Sequence, residues 1–125
     1  MQGSYKELRV WQEGMKLAFD VYQATNSFPK HELYGLANQM RRAAVSVPSN
    51  IAEGKGRHTG RDFMHFLFNA RGSLLELETQ IMLAEQLQYV SAEKSTALQG
   101  QTTSIARGLN ALINAFRRQL SSQES

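Results

Sequence analysis

The sequence predicts an all-α protein that folds as an antiparallel, up-down four-helix bundle, in a single domain over residues 1–125. Apolar residues recur at alternating spacings of three and four in four separate segments, which is the pattern of amphipathic helices. Short intervals with proline, glycine or capping residues separate these segments, and short links favour antiparallel neighbours. We expect helices at about residues 5–27, 32–54, 60–88 and 91–120.

The first helix is predicted to begin at Ser4, which forms a capping-box pattern with Glu7, and to end before Pro29. Two apolar stripes lie side by side along it. We interpret as the main stripe Leu8, Trp11, Met15, Ala18 and Tyr22. The second stripe consists of Val10, Gly14, Leu17 and Val21.

The second helix contains a proline within its apolar stripe, which is Leu33, Ala37, Met40, Ala44, Val47 and Ile51. Pro48 cannot donate a hydrogen bond to the Ala44 carbonyl, so we expect a bend near Val47 that costs about 3 kcal/mol. Packing must stabilise such a bend, so Pro48 is predicted to have a structural or interface role. Gly54 and Gly56 are expected to end the helix. Small residues would let another backbone come close here: Ala43, Ala44 and Ser46.

The third and fourth helices have clear starting signals. Thr59 with Asp62 is predicted to cap the third helix, and Ser91 the fourth. The apolar stripe of the third helix is Phe63, Leu67, Ala70, Leu74, Leu77, Ile81 and Ala84. The stripe of the fourth is Leu98, Ile105, Leu109, Leu112, Phe116 and Leu120.

The apolar surface is wider than a lone bundle requires. The third helix carries large apolar side chains away from its stripe, namely Met64, Phe66, Phe68, Leu75 and Met82. A bundle helix needs an apolar face of only about 100°, and large exposed apolar patches are rare on monomers. We therefore predict a homo-oligomer, with Met64, Phe66 and Phe68 at a subunit contact. The alternative is a thicker core in a monomer.

Three charged residues of the third helix also suggest structural roles: Arg71, Glu76 and Glu78. If buried, they require partners, and we expect them to pair across helices or subunits and so to fix the packing register. The alternative is a partly exposed flank on which the arginine stem covers apolar surface.

Positive charge is concentrated in the middle of the chain. The net charge is +3, and residues 30–71 hold seven bases and three acids, which indicates an anionic partner. The basic glycine turn after the second helix also precedes the N-terminus of the third, where phosphate binds favourably. The alternative is a solvated turn. The candidate nucleic-acid-binding residues, which would contact phosphate, are Arg41, Arg42, Lys55, Arg57 and Arg61.

No set of residues in the sequence points to catalysis, a metal or a cofactor. The chain has no cysteine, its histidines lack a second carboxylate–histidine pair, and no nucleophile motif or phosphate loop occurs. We therefore predict that the protein is not an enzyme. No apolar run approaches the roughly 20 residues of a membrane span, and the first residues lack the apolar core of a signal peptide, so a cytoplasmic location without membrane contact is expected.

Several motifs resemble one family, the four-helix-bundle proteins encoded in intervening sequences of bacterial large-subunit ribosomal RNA genes. They are Val10-Trp11-Gln12, Phe28-Pro29, Tyr34-Gly35-Leu36, the run from Gln39 to Arg57, and the run from Ala70 to Ile81. The chain departs from the pattern at Gln88-Tyr89, where a glycine is expected in the turn. The sequence also resembles the accessory variability proteins of diversity-generating retroelements.

These resemblances imply a small, non-enzymatic bundle that assembles as a ring, most simply a homopentamer, and that uses no cofactor. They also imply binding to RNA or DNA and to a protein partner such as a reverse transcriptase. Our leading hypothesis is an oligomeric adaptor that binds the nucleic-acid phosphate backbone. The alternative is a protein-interaction scaffold with no direct nucleic-acid role, in which the arginines form intersubunit salt bridges.

Overall fold

A computed structural model describes residues 3–124, with side chains through Ser122, so residues 1, 2 and 125 of the predicted domain lie outside the described residues. The chain forms four α-helices, with no strand between residues 3 and 124. The helices are α1 (Arg9–Thr25), α2 (Leu36–Lys55), α3 (Gly60–Gln86) and α4 (Ala92–Glu124). Short 3₁₀ turns at Tyr5–Glu7 and Lys30–Glu32 precede α1 and α2.

The first two helices begin later than the sequence predicts. The Ser4 hydroxyl accepts a hydrogen bond from the Lys6 amide (3.1 Å), so it caps the 3₁₀ turn rather than α1. Leu8 is extended and separates the two elements. Gly35 has a non-helical backbone (φ −108°, ψ −118°), and α2 begins only after it. The predicted stripe residue Leu33 therefore lies outside the helix, and it is exposed.

The last two helices begin as predicted. Thr59 accepts a hydrogen bond from the Asp62 amide (3.0 Å), and Ser91 accepts one from the Lys94 amide (3.0 Å). α3 ends two residues earlier than expected, because Gln88 adopts a left-handed φ of 64°. α4 continues beyond the predicted residue 120 to Glu124.

Contacts between helices show that α1, α2 and α3 run antiparallel to their chain neighbours. Arg41, near the start of α2, bonds Thr25 at the end of α1. The Ser46 and Ser73 hydroxyls are 2.8 Å apart, while Gly54 packs against Phe66. The small residues of α2 therefore bring α3 close, as the sequence predicts.

α4 closes the bundle between α3 and α1. Gln99 donates to the Glu78 carbonyl (3.1 Å), and Gln101 donates to the Asp20 carboxylate (3.0 Å), so Glu78 and Asp20 lie at similar heights along the bundle axis. Towards the other end, Gly108 packs against Val10. Since α1 and α3 both pack against α2 and α4, the α1–α2 side and the α3–α4 side are opposite faces of the bundle.

The core contains the predicted stripe of α3 in full and those of α2 and α4 in part. All seven stripe residues of α3 are buried. Leu33 is exposed, and near the end of α4 Ile113 is buried in place of the half-buried Leu112, Phe116 and Leu120.

On α1 the predicted main stripe is wrong. The buried stripe is the second one, Val10, Gly14, Leu17 and Val21. A Cβ placed on Gly14 would lie 3.4 Å from Pro48 Cβ, so this small residue lets α2 approach. The bulkier stripe is displaced to the rim, where Met15 is 47% and Tyr22 45% exposed.

Candidate nucleic-acid interface

Positive charge is concentrated at one end of the bundle. We call this half, formed by residues 3–14, 48–71 and 104–122, the basic end. Among the described side chains it holds nine Lys and Arg against four Asp and Glu, whereas the other half holds five against six. The bases of the basic end are Lys6, Arg9, Lys55, Arg57, Arg61, Arg71, Arg107, Arg117 and Arg118.

The structure separates the five predicted binding residues into two groups. Lys55, Arg57 and Arg61 surround the α2–α3 turn at the basic end. Arg42 lies 13 residues before Lys55 in the same helix, which corresponds to about 20 Å along the axis. The basic middle third of the sequence is therefore not one surface, because α2 spans the bundle from end to end.

Arg41 is held by contacts within the chain. Its Nε donates to Thr25 Oγ1 (2.7 Å) and its Nη2 to Asn26 Oδ1 (3.1 Å). The guanidinium also lies 4.8 Å from the centroid of the Tyr22 ring. Arg41 thus fastens the start of α2 to the end of α1.

Arg57 is exposed at the α2–α3 turn. Its guanidinium lies 4.8 Å from the Phe66 ring centroid, and its Nη2 lies 3.6 Å from Oε1 of Glu53, which is also exposed. A Cβ on Gly54 would come within 2.6 Å of Phe66 Cβ, so this glycine is required by the close approach of α3. Lys55 is half-buried and Arg61 is exposed.

α4 brings two further arginines to the basic end, which the sequence argument left outside the candidate site. Phe116 contacts Phe63 with ring centroids 5.2 Å apart, so the following Arg117 and Arg118 lie beside the start of α3. The Arg117 guanidinium is 5.7 Å from the Phe68 ring centroid. Only the antiparallel packing of α4 on α3 could reveal this neighbourhood, since about 50 residues separate them in sequence.

The three charged residues for which the sequence predicts structural pairing, Arg71, Glu76 and Glu78, do not pair with one another within the chain. Arg71 Nη1 donates to Asn110 Oδ1 (2.8 Å), and its guanidinium covers Phe68 at 4.7 Å. Glu76 is exposed and Glu78 is half-buried. No ion pair of the described side chains includes any of the three, so the partly exposed flank is what the monomer shows.

An apolar groove of about 660 Å³ lies on the α1–α2 face. Its large side chains are Tyr5, Trp11, Met15, Phe19, Tyr22 and Val45, and buried Pro48 contributes to its floor. The sequence predicts Pro48 as a structural residue, and the structure places it between this groove and Gly14. No lysine, arginine, aspartate or glutamate lines the groove.

A second apolar surface follows the side of α3 that faces α4. Its residues are spaced by four and seven, and we call it the α3 ridge: Met64, Phe68, Leu75 and Met82. Leu75 is 60% and Met82 53% exposed, while Met64 and Phe68 pack partly against the core. Phe66, the third predicted contact residue, lies off this ridge beneath Arg57.

Within residues 3–124, no group of three or more metal-ligating side chains comes together. None of the described helices is long and apolar enough to cross a bilayer. His58 and His65 are both exposed near the basic end.

The profile of the 23S rRNA-intervening sequence protein family matches residues 6–111. The chain belongs to this family. The resemblance found from the sequence motifs is confirmed, and the match includes α1, α2, α3 and more than half of α4. Arg117 and Arg118 lie beyond the matched residues.

A solved structure supports the same fold for this family member. It is a protein of unknown function from the S23 ribosomal protein family of Bacteroides thetaiotaomicron. The two chains superpose with a TM-score of 0.75 at 20% identity, over 83% of this chain and 97% of the other. No curated protein matches the chain significantly.

Proposed function

We propose that this family member is a non-enzymatic, self-associating helical bundle whose basic end binds the phosphate backbone of RNA or DNA. The observation that carries the proposal is the excess of nine bases over four acids at one end of the bundle. Clustered Lys and Arg on one surface form the electrostatic footprint of nucleic-acid binding.

The α2–α3 turn is the proposed centre of the binding surface. Arg57 and Arg61 flank the N-terminus of α3, where backbone amides and the helix dipole favour phosphate. The Arg57 guanidinium lies over the Phe66 ring, 4.8 Å from its centroid, and a guanidinium carries five N–H donors that can bind phosphate oxygens. The ion pair of Arg57 with Glu53 is exposed. Such surface pairs contribute little to stability, so a phosphate can replace Glu53 at small cost.

Arg41 and Arg42 are not part of the proposed binding surface. Arg41 is engaged with Thr25, Asn26 and Tyr22. Arg42 lies in the other half of the bundle, where acids outnumber bases. We therefore assign phosphate contact to Lys55, Arg57 and Arg61, together with Arg117 and Arg118 from α4.

Binding through phosphate contacts is expected to tolerate changes of sequence and to weaken with salt. The test compares two double variants that lose the same net charge. Arg57→Gln with Arg61→Gln removes two of the nine positive charges of the basic end, and Lys30→Gln with Lys94→Gln is the matched control at the other end. Fluorescence anisotropy with labelled RNA and DNA of mixed sequence would be measured from about 50 to 200 mM salt.

We expect the first variant to bind more weakly to every sequence. Its slope of log K against log salt should also be smaller, by about one for each arginine that no longer reaches a phosphate. The control should bind like the wild type. Equal reductions of affinity in both variants would show that net charge alone attracts the nucleic acid, which would contradict the proposal.

A protein-interaction scaffold without a nucleic-acid role is the second candidate. It is favoured by the two apolar surfaces and by the intramolecular contacts of Arg41 and Arg71. A wild-type protein that self-associates but binds neither RNA nor DNA at low salt would support this candidate over the first.

A further inference from the structure

A cavity of about 420 Å³ opens on a third side of the bundle, between the start of α1 and the middle of α4. We call it the α1–α4 pocket. The apolar side chains that line it are Leu8, Val10 and Leu112. The polar ones are Arg9, Glu13, Ser104 and Arg107. A concave, partly apolar site of this size with a few convergent polar groups is the usual form of a small-ligand site.

The apolar part of the pocket is held in place by the core. Val10 is buried, and Leu8 and Leu112 pack against the core cluster. A Cβ on Gly108 would come within 2.6 Å of Val10 Cγ1, so the α4 backbone lies directly against α1 at this height. Gly108 therefore gives the pocket a floor without a side chain of its own.

Two arginines at the pocket are available to an anion. Arg9 Nε lies 3.4 Å from Oε2 of Glu13, but the arginine of this pair is 87% exposed, and such pairs are weak. Arg107 is exposed, and no ion pair or ring contact of the described side chains includes it. A guanidinium with free donors binds phosphate through paired, charge-assisted hydrogen bonds.

Glu13 restricts how a ligand can be oriented. Its Oε2 accepts a hydrogen bond from the Ser104 hydroxyl (3.2 Å), so the carboxylate lies across the junction of α1 and α4. An ionised carboxylate only accepts hydrogen bonds, and it repels phosphate. A ligand that fits therefore places its anion on the Arg107 side and hydrogen-bond donors, such as sugar hydroxyls, on the Glu13 side.

We propose that the α1–α4 pocket binds a nucleoside 5′-monophosphate, presented as the 5′-phosphorylated end of a nucleic-acid strand. The terminal phosphate meets Arg107 and Arg9, the sugar hydroxyls face Glu13, and the base covers Leu8 and Leu112. A terminal phosphate carries nearly two negative charges at neutral pH, whereas a phosphate within a strand carries one. Two guanidinium groups therefore favour the end of a strand over its interior.

The depth of the pocket also favours a strand end. A terminal nucleotide is joined to the strand on one side only, so it can enter a cavity, whereas an internal nucleotide must first be extruded and unstacked. The pocket belongs to the basic end, as the α2–α3 turn does. In this respect the inference rests on the proposed function, because the rest of the strand is held by the proposed phosphate surface.

The test uses one short RNA of mixed sequence, labelled at its 3′ end, with either a 5′-phosphate or a 5′-hydroxyl group. The variant is Arg107→Gln. The matched control is Lys6→Gln, which removes one positive charge from another exposed site of the basic end. Fluorescence anisotropy at constant salt would give the affinities for both RNAs, and calorimetry those for uridine 5′-monophosphate and for inorganic phosphate.

We expect the wild type to bind the 5′-phosphorylated RNA about tenfold more tightly than the 5′-hydroxyl RNA, which corresponds to one charge-assisted hydrogen bond. Arg107→Gln should lose this preference and Lys6→Gln should keep it, although both lose the same charge. Uridine 5′-monophosphate should bind more tightly than inorganic phosphate, because only the nucleotide covers the apolar part of the pocket.

Three results would contradict parts of the inference. Equal affinities for the two RNAs, together with no Arg107-dependent binding of the nucleotide, would overturn the pocket and leave backbone binding untouched. Nucleotide binding through Arg107 without a preference between the RNAs would overturn the strand end and identify a free nucleotide as the ligand. Inorganic phosphate that binds as tightly as the nucleotide would show that the base and sugar do not enter the pocket.

Failure of the proposed function gives a different result. In that case neither RNA binds, whereas uridine 5′-monophosphate still binds to the wild type and to Lys6→Gln. The α1–α4 pocket would then remain as a nucleotide site in a protein that does not bind the phosphate backbone.

Discussion

The Tyr89 hydroxyl donates a hydrogen bond of 2.9 Å to Oε2 of Glu32 and so joins the α3–α4 turn to the α1–α2 connection. Glu32 Oε1 accepts a second hydrogen bond, from the Leu36 amide at the start of α2 (3.0 Å). The Tyr89 ring also packs on Phe28 at a centroid distance of 5.1 Å. One carboxylate thus fastens both connections at the end of the bundle opposite the basic end.

This arrangement predicts a loss of stability in acid. The hydrogen bonds from Leu36 and Tyr89 lower the pKa of Glu32 below its usual value of 4.5, so the carboxylate stabilises the fold above that pH. The contribution is lost as the pH falls through the lowered pKa. We expect Glu32→Gln to flatten the dependence of the unfolding free energy on pH below 4.5, measured by urea titration. Tyr89→Phe, which keeps the Leu36 bond, should flatten it less.

The hydrogen bond of Tyr89 is expected to make stability fall at high pH, the opposite of the effect of Glu32. Its hydrogen bond to Glu32 raises the pKa of the phenol above 10.0, so the neutral hydroxyl stabilises the fold below that pH. The contribution disappears as the pH rises through the raised pKa. Thermal unfolding of the wild type and of Tyr89→Phe at high pH should converge, and curves that stay parallel would contradict this assignment.

Replacing each of two helix glycines by alanine is expected to have opposite effects on the stability of the protein. A Cβ on Gly54 would meet Phe66 Cβ at 2.6 Å and Phe63 Cδ1 at 2.9 Å, so Gly54→Ala should destabilise the protein by about 1–3 kcal/mol through overpacking. Gly72 is exposed within α3, and apart from the backbone of its own helix and its two chain neighbours no atom lies within 4 Å of an added Cβ. Gly72→Ala should therefore stabilise the protein by roughly 1 kcal/mol. Chemical denaturation of the two variants checks both signs.

The left-handed residue after α3 predicts a stabilising substitution. Gln88 has a φ of 64°, and the Tyr89 amide bonds the Ala84 carbonyl while the Gln88 amide bonds the Glu85 carbonyl. These two bonds form a Schellman motif in which glycine is preferred at the position of Gln88. Gln88→Gly should raise the unfolding free energy by about 0.5–1 kcal/mol. Gln86→Gly, within the last turn of the helix, should lower it.

Replacement of Arg41 is expected to lower the stability of the protein without changing its affinity for nucleic acid. The hydrogen bond of Arg41 to Thr25 is partly buried, whereas the one to Asn26 is exposed, so Arg41→Gln should destabilise the fold by about 1 kcal/mol, mainly through loss of the first bond. Its affinity for RNA or DNA should stay close to that of the wild type when measured well below the unfolding temperature. Lys94→Gln, at an exposed site, is the control and should change stability by less than about 0.5 kcal/mol. A large drop in the affinity of Arg41→Gln would show that Arg41 takes part in nucleic-acid binding after all.

The sequence motifs predicted much of the fold because local signals decide where helices lie. The Thr59 and Ser91 caps and the seven-residue stripe of α3 occur as predicted. The glycine expected at Gln88-Tyr89 corresponds to a backbone that is left-handed at Gln88. The start of α1 was harder to predict, because the Ser4 cap serves a 3₁₀ turn as readily as an α-helix. α2 starts late because the backbone at Gly35 is not helical, which no capping pattern signals.

Four amphipathic helices, their order and the family follow from the amino-acid sequence, since spacing and capping are properties of neighbouring residues. Which of the two α1 stripes enters the core depends on tertiary packing, because Gly14 lets Pro48 approach and the aromatic stripe is left at the rim. The distribution of charge depends on packing too. Antiparallel helices place Arg117 beside the α2–α3 turn and separate Arg42 from Arg57, since each helix carries its residues from one end of the bundle to the other.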